Sequence, residues 1–357
     1  MPKWYDLKPI EVQEKVGLSD EALQWLCRGE SVVGDTALSL PGTAYSEELL
    51  ERLGVAEKDR SEILDSRPDP DEDPAVWWVL ERAYCELADN VGRIWQELPF
   101  PVLPEDLGPT ARNLYIWVFL SVVPIVRDYH KKRRIPDEIS WETLQDIGQK
   151  IGTNRKIYGT SGIHVPGWST LVLSGAVYQL GRLQFNRYHM PIDMPSSPNF
   201  TEVPQRGDNI LIPHIAEGGK MTAEECRESF MRAREFFGEY FPEHPIRYAA
   251  GFGSWLLDEQ LKYYLPSASN VLYFQSLFNI APRYVMPDPV CEWTQGDSAI
   301  LEYVFHRLHK GEKRPDDIIN ALPQDTTLKR AYVKHLESGG HWFARCGWFD
   351  LESATFE

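Results

Sequence analysis

The sequence predicts an α+β protein in which an all-helical first part is followed by a mixed, mostly antiparallel sheet with helices on both faces. Two observations predict this class. Apolar residues recur every three or four positions through roughly the first 150 residues, and β-branched and aromatic runs begin near residue 170. Beyond that point strand-like segments form a hairpin and then alternate with helical ones. We therefore expect two domains, at residues 1–155 and 156–357.

The helices of the first domain are expected where a capping residue or an apolar period begins. The expected starts are Ser19, Ser46, Ala75, Ala111 and Ser140. The longest of these helices carries apolar residues from 75 to 95 and ends before a run of prolines at 99, 101 and 104.

The second domain is expected to contain strands separated by turns and by a few helices. Strands are predicted over 171–180, 181–188, 209–215, 246–250, 271–280, 300–305 and 341–349, and helices over 223–240, 254–264 and 326–336. This order predicts a mixed sheet with helices packed on its faces.

Composition excludes several functional classes. The chain has 37 Lys and Arg against 53 Asp and Glu, a net charge of −16, so we expect no nucleic-acid partner and no anionic membrane surface. The longest apolar run, 114–126, is too short to cross a bilayer, and the N-terminus lacks an apolar signal core. Five widely spaced cysteines show no metal-binding cadence, so we expect a cytoplasmic protein without a metal.

A glycine turn joins the predicted strand at 209–215 to the predicted helix at 223–240. Thr222 and Glu225 form a T-x-x-E capping box at the start of that helix. The backbone N–H groups of Gly218, Gly219 and Lys220 would then point outward beside a helix N-terminus, which is an anion-binding arrangement. The alternative is an ordinary tight turn between a strand and a helix.

Pro213 lies inside the strand that precedes this turn. A proline in a central strand forces a bulge or a broken ladder, because it has no N–H to donate. A strand that parts from its neighbour there opens a slot whose backbone groups can pair with a linear, amide-rich ligand. Pantetheine, the arm of coenzyme A and of acyl carrier proteins, is such a ligand.

Several segments carry a resemblance to a known family. They are YQLGRLQF at 178–185, IAEGG at 215–219, SWLLD at 254–258, SNV at 269–271, LPQDTTL at 322–328 and GGHW at 339–342. With them, residues 160–357 resemble the GNAT superfamily of N-acyltransferases. The whole chain resembles bacterial acyltransferase-domain proteins that have a helical N-terminal domain and a GNAT-like C-terminal domain.

The resemblance implies transfer of an acyl group from a pantetheine thioester to an amine on a small-molecule acceptor. The donor would be acyl-CoA or acetyl-CoA, or an acyl carrier protein. The residues expected to bind it are Ile215, Glu217, Gly218, Gly219, Lys220, Met221 and Thr222. GNAT enzymes usually carry an arginine or glutamine in this turn; here neither is present, and we expect Lys220 to supply the cation.

Catalytic roles are expected for His214 and for Tyr263 or Tyr264. Histidine is the residue type best suited to proton transfer near neutral pH, and His214 lies in the strand with Pro213, so we expect it to relay a proton from the amine. The resemblance implies a tyrosine on the helix after Ser254 that protonates the departing thiolate. The alternatives are a histidine held by a neighbouring hydrogen bond and tyrosines that only fill the core.

Arg182, Gln184 and Asn186 alternate along one predicted hairpin strand and are expected to line the acceptor pocket. The alternative is the solvated face of an antiparallel sheet. Two functions therefore remain open: an acyltransferase, or a non-catalytic, degenerate GNAT fold that binds or senses an acyl donor or a partner.

Overall fold

The computed structural model describes residues 3–28, 38–194, 202–281, 294–308 and 316–354. The contacts divide the chain into two compact units, Met1–Gln179 and Leu180–Glu357. The expected domain boundary at 155/156 lies inside the helix Asp146–Tyr158 of the first unit.

Apart from the first residues of one strand, the regular structure of the first unit is helical. Its helices are α1 Pro9–Val16, α2 Asp20–Cys27, α3 Thr43–Arg52, α4 Glu57–Asp65, α5 Pro74–Asn90, α6 Gly108–Arg112, α7 Leu114–Lys132, α8 Asp137–Leu144, α9 Asp146–Tyr158 and α10 Pro166–Leu173. Short 3-10 turns occupy Trp4–Asp6 and Glu105–Leu107. The predicted helical character is confirmed, with a core built around α5 and α7.

Some predicted boundaries in this unit are wrong. Helix α5 ends at Asn90 rather than continuing to residue 95, and α8 begins at Asp137, so that Ser140 lies buried inside it. Residues 171–173, predicted as strand, form the end of α10. A short run that is apolar on all sides suits a buried helix and a buried strand equally, and here Pro166 starts a helix.

The second unit is built on a sheet, whose first strand begins in the first unit. The strands are β1 Val177–Leu180, β2 Leu183–His189, β3 Asn209–Ile215, β4 Tyr248–Ser254, β5 Asn279–Ile280 and β6 Arg345–Asp350. They lie in the order β1-β2-β3-β4-β6-β5. Antiparallel pairs join β2 to β3, β4 to β6 and β5 to β6, whereas β3 and β4 are parallel. The predicted mixed, mostly antiparallel sheet is confirmed.

The helices of the second unit are α11 Ala223–Tyr240, α12 Asn270–Ser276, α13 Gln295–Tyr303, α14 Asp316–Asn320 and α15 Thr327–Glu337. Helix α11 has the predicted bounds, and the Thr222–Glu225 capping box is present. Its Phe230 packs against Phe185 of β2 and Phe349 of β6, so α11 covers one face of the sheet.

Three predictions in this unit are wrong. Residues 254–264 form two 3-10 turns, Trp255–Leu257 and Glu259–Tyr263, instead of an α-helix. The strands predicted over 271–280 and 300–305 are mainly helices α12 and α13, and only β5 remains of the former. Ser269 and Thr294 cap these helices and were the missed signals.

Among the described residues, no helix combines the length and the apolar character needed to span a bilayer.

Candidate active site

An opening separates the parallel strands β3 and β4. Their ladder consists of the pairs Ile210↔Tyr248 and Leu211↔Ala249 and goes no further. Beyond it lies a cavity of about 190 Å³, whose lining includes both strand ends, at residues 212–214 and 251–254. The opening predicted between neighbouring strands is confirmed.

Features of both strands account for the opening. Pro213 of β3 lies opposite Phe185 of β2, two residues past the last pair with β4, and it has no N–H with which to extend a ladder. The register between β4 and β6 shifts between Gly251 and Ser254, a bulge that bends β4. The proline was visible in the sequence, whereas the bulge depends on the pairing with β6.

The lining of this cavity changes in character from one part to another. His214 and Ser254 contribute polar groups, and Leu257, Phe274 and Phe278 provide an apolar wall. Leu257 belongs to a 3-10 turn, Phe274 to α12, and Phe278 to the short link between α12 and β5. The sequence predicted an α-helix at Leu257 and a strand at the two phenylalanines. They were therefore missed as site residues.

The glycine turn begins two residues after His214 and has the expected form. Gly218 and Gly219 have φ values of +80° and +68°, which favour glycine. The amides of Gly218, Gly219 and Lys220 donate to no acceptor among the described residues, and all three residues are exposed. Consecutive unbonded amides beside a helix N-terminus are suited to an anion, and the binding of one at this turn stays a prediction.

Arg182 holds this turn from the neighbouring hairpin. Its Nε donates to the carbonyl of Lys220 at 3.1 Å, and its Nη1 donates to the carbonyl of Ala216 at 2.8 Å. An ideal Cβ on Gly219 would lie 3.7 Å from Nε of Arg182. The arginine therefore lies at the anion turn, where the sequence analysis expected only Lys220.

The charges around the turn are set by local contacts. Hydrogen bonds from Thr222 lower the pKa of the Glu225 carboxyl, so it is ionised at neutral pH and completes the cap. Burial raises the pKa of the adjacent Cys226 thiol to about 11, so this cysteine is neutral. Burial also lowers the pKa of Arg182, although a guanidinium remains charged at neutral pH.

His214 lies on one face of the sheet together with Gln184 and Asn186. It is directly opposite Gln184, and Asn186 is opposite Ile212, so these side chains share a face. Gln184 is only 3% exposed and Asn186 only 4%, so the alternative of a solvated sheet face is wrong. The Asn186 Oδ1 accepts no hydrogen bond from the described residues.

The two tyrosines expected to protonate the thiolate lie away from the cavity lining. Tyr263 is 74% exposed. The Tyr264 hydroxyl is 2.8 Å from Nδ1 of His335, and its ring packs against Trp342. Their catalytic role stays a prediction, and the contacts of Tyr264 are those of a packed core residue. The tyrosine that does line the cavity is Tyr303 of α13.

Comparisons with known proteins decide the family. Residues 45–175 match the family model of the N-acyltransferase N-terminal domain, and residues 177–349 match that of the GNAT-like C-terminal domain. An acyltransferase solved with decanoyl-CoA and teicoplanin is 36% identical, with a TM-score of 0.82 over 97% of this chain and 100% of that one. This chain belongs to the GNAT-like acyltransferases.

Two further solved structures are similar to this acyltransferase. A mutant acyltransferase in complex with octanoyl-CoA is 35% identical, with a TM-score of 0.83 over 96% of this chain and 99% of that one. An acyltransferase in complex with CoA and 10C-teicoplanin is also 35% identical, with a TM-score of 0.83 over 97% and 100% of the two chains. No curated protein matches this chain.

Family membership decides between the two functions left open by the sequence. The protein is an enzyme, an N-acyltransferase, and the alternative of a degenerate binding module is not favoured. Among the described residues, no group of three or more potential ligands is placed to hold a metal ion.

Proposed function

We propose that this acyltransferase moves a medium-length acyl group from acyl-CoA to an amine on a small-molecule acceptor. The observation that carries the proposal is the continuity of β3, which borders the cavity at His214 and leads within a few residues to the glycine turn. There the amides of Gly218, Gly219 and Lys220 donate to no acceptor among the described residues. A thioester arm in the opening would therefore have its diphosphate beside Gly218 and Gly219. Solved relatives bound to octanoyl-CoA and decanoyl-CoA support this donor class.

The opening suits the pantetheine arm for a physical reason. Past Leu211 and Ala249 the facing backbones of β3 and β4 no longer pair with each other, so the amides of the arm can pair with them. The apolar wall at Leu257, Phe274 and Phe278 provides a surface for methylene groups. We propose free acyl-CoA rather than an acyl carrier protein, because relatives were solved with acyl-CoA itself.

The reaction forms one bond and breaks one. The neutral amine attacks the thioester carbonyl carbon, a C–N bond forms, and the C–S bond breaks to release the coenzyme A thiolate. His214 at the cavity is the proposed acceptor of the proton that the amine loses. The thiolate takes up a proton, for which Ser254 and Tyr303 provide hydroxyl-bearing side chains in the cavity lining.

The acceptor is proposed to contact the sheet face that carries Gln184, Asn186 and His214. The buried Oδ1 of Asn186 has no donor among the described residues, so an N–H or O–H of an acceptor would satisfy it. One relative was solved with decanoyl-CoA and teicoplanin and another with CoA and 10C-teicoplanin, which correspond to the two sides of a decanoyl transfer. We therefore propose that the acceptor of this enzyme is a teicoplanin-like small molecule that carries an amine.

The test measures thiol release and acceptor mass together. Acetyl-, octanoyl- and decanoyl-CoA and octanoyl-loaded acyl carrier protein are each supplied with teicoplanin and with a panel of smaller amines. We expect thiol release that depends on the amine, is greatest with the medium-length CoA donors, and matches the mass added to the acceptor. The variant Tyr45→Phe, whose side chain is exposed on α3, serves as a control with unchanged turnover. Thiol release without acylated product, or with the carrier protein alone, would contradict the proposal.

A further inference from the structure

We propose that Arg182 is the positioning residue for the donor's diphosphate, acting on a turn that itself contains no arginine. This inference rests on the proposed function, because it assumes that acyl-CoA places its diphosphate at residues 216–220. It assigns to Arg182 the cationic role that the sequence analysis gave to Lys220. It also moves Arg182 away from the acceptor pocket.

Two hydrogen bonds place Arg182 at both ends of the turn. Nη1 reaches the carbonyl of Ala216 just after β3, and Nε reaches the carbonyl of Lys220 just before the cap of α11. A guanidinium is planar and presents its donors in a rigid fork, so it can bridge two carbonyls at once. Both carbonyls are turned towards Arg182, and the amides of Gly218, Gly219 and Lys220 between them donate to no acceptor among the described residues.

The backbone of Arg182 is itself anchored to the helix that the turn precedes. Ser229 of α11 accepts hydrogen bonds from the N–H of Arg182 at 2.9 Å and of Leu183 at 3.2 Å, and it donates to the carbonyl of Glu225. Ser229 is fully buried, so these bonds are shielded from water. The hairpin, the turn and the first turns of α11 therefore form one connected unit.

This connection has a consequence for binding. Two adjacent glycines with left-handed φ values would otherwise let the turn sample many conformations, and ordering it would then weaken donor binding. Arg182 orders the turn before the donor arrives. Its Nη2 has no acceptor among the described residues, so it remains available to an anion beside Gly219. By contrast, Lys220 is exposed and makes no ion pair within the described residues.

The test compares a donor that has the diphosphate with one that lacks it. Octanoyl-CoA and octanoyl-pantetheine are assayed with the wild type, Arg182→Met and Arg182→Lys, and with Arg232→Met as the control for loss of an exposed arginine on α11. For Arg182→Met we expect KM for octanoyl-CoA to rise about tenfold or more, since charge-assisted contacts are lost, with kcat little changed. KM for octanoyl-pantetheine should stay within about twofold. Arg182→Lys should recover only part of the loss, because an ammonium lacks the bridging geometry.

Each other outcome is decisive. If Arg182→Met weakens both donors equally, the arginine only supports the fold, and if it weakens neither, Arg182 plays no part; either result overturns the inference. A wild-type enzyme that uses both donors equally well would overturn the role of the turn in the proposed function, and this inference with it. If Arg182→Met unfolds, Arg182→Lys is used instead. A rise in KM for octanoyl-CoA but not for octanoyl-pantetheine then supports the inference, and equal effects on the two donors overturn it.

Discussion

Gly219 offers a direct test of whether the turn binds the donor's phosphates. Gly219 has a φ of +68°, and the nearest atom to an ideal Cβ there is Nε of Arg182 at 3.7 Å. Asparagine and aspartate both fit this space and both tolerate left-handed backbone better than other residues. They have nearly the same shape, so Gly219→Asn and Gly219→Asp differ in one negative charge.

The size of the expected effect follows from Coulomb's law. At a separation of about 5 Å, two unit charges repel by about 0.8 kcal/mol in bulk water and by about 3 kcal/mol at the dielectric constant of a protein surface. The aspartate would also attract Arg182, which neutralises a cation the phosphates need. We therefore expect the Asp variant to bind octanoyl-CoA between about fourfold and about 150-fold more weakly than the Asn variant.

The measurement is the Kd for octanoyl-CoA by calorimetry, at low salt and at high salt, for both variants and the wild type. The Kd values of Gly219→Asp and Gly219→Asn should differ less at about 1 M salt, where charges more than about 3 Å apart are screened. Octanoyl-pantetheine, which has no diphosphate, should bind both variants equally. Equal affinities of the Asp and Asn variants for octanoyl-CoA at low salt would refute the assignment of the turn.

Three further outcomes are expected. His214→Ala should lower kcat by about 100-fold or more with little change in the Kd for the donor, since one proton-transfer group is lost. Single-turnover kinetics would measure the rate, and an unchanged rate would show that His214 takes no part in the reaction. Tyr264→Phe loses its bond to His335, so unfolding in urea should show about 1 kcal/mol less stability while kcat stays the same; a large loss of kcat would instead support a catalytic role. Arg155 lowers the pKa of Glu62 from 4.5 to about 2, so the ion pair stabilises the fold above pH 4.5 and this contribution is lost as the pH falls towards 2. Glu62→Gln should therefore have a lower Tm than the wild type at pH 7, and the two Tm values should converge as the pH falls from 4.5 towards 2. A Tm difference that persists near pH 2 would contradict the stabilising role of this ion pair.

The best sequence predictions rested on local physics. The bounds of α11 were readable because a capping box and an apolar period lie within the helix itself. Pro213 likewise indicated the broken ladder, because the missing N–H is a property of the residue alone. The short apolar runs at 271–280 and 300–305 were misread, since their periodicity suits either element and only the caps at Ser269 and Thr294 distinguish them.

By itself, the sequence determined the helical first part, the mixed sheet, the glycine turn before α11 and the family resemblance. Each of these depends on apolar periodicity, capping residues or short segments that can be recognised from residues close together in the chain. Only the tertiary structure decided what surrounds the turn and the opening. Arg182 bonds to carbonyls 34 and 38 residues further along the chain, and the bulge in β4 depends on its partner β6. Such contacts arise when the sheet brings distant segments together, and no local period or spacing encodes them.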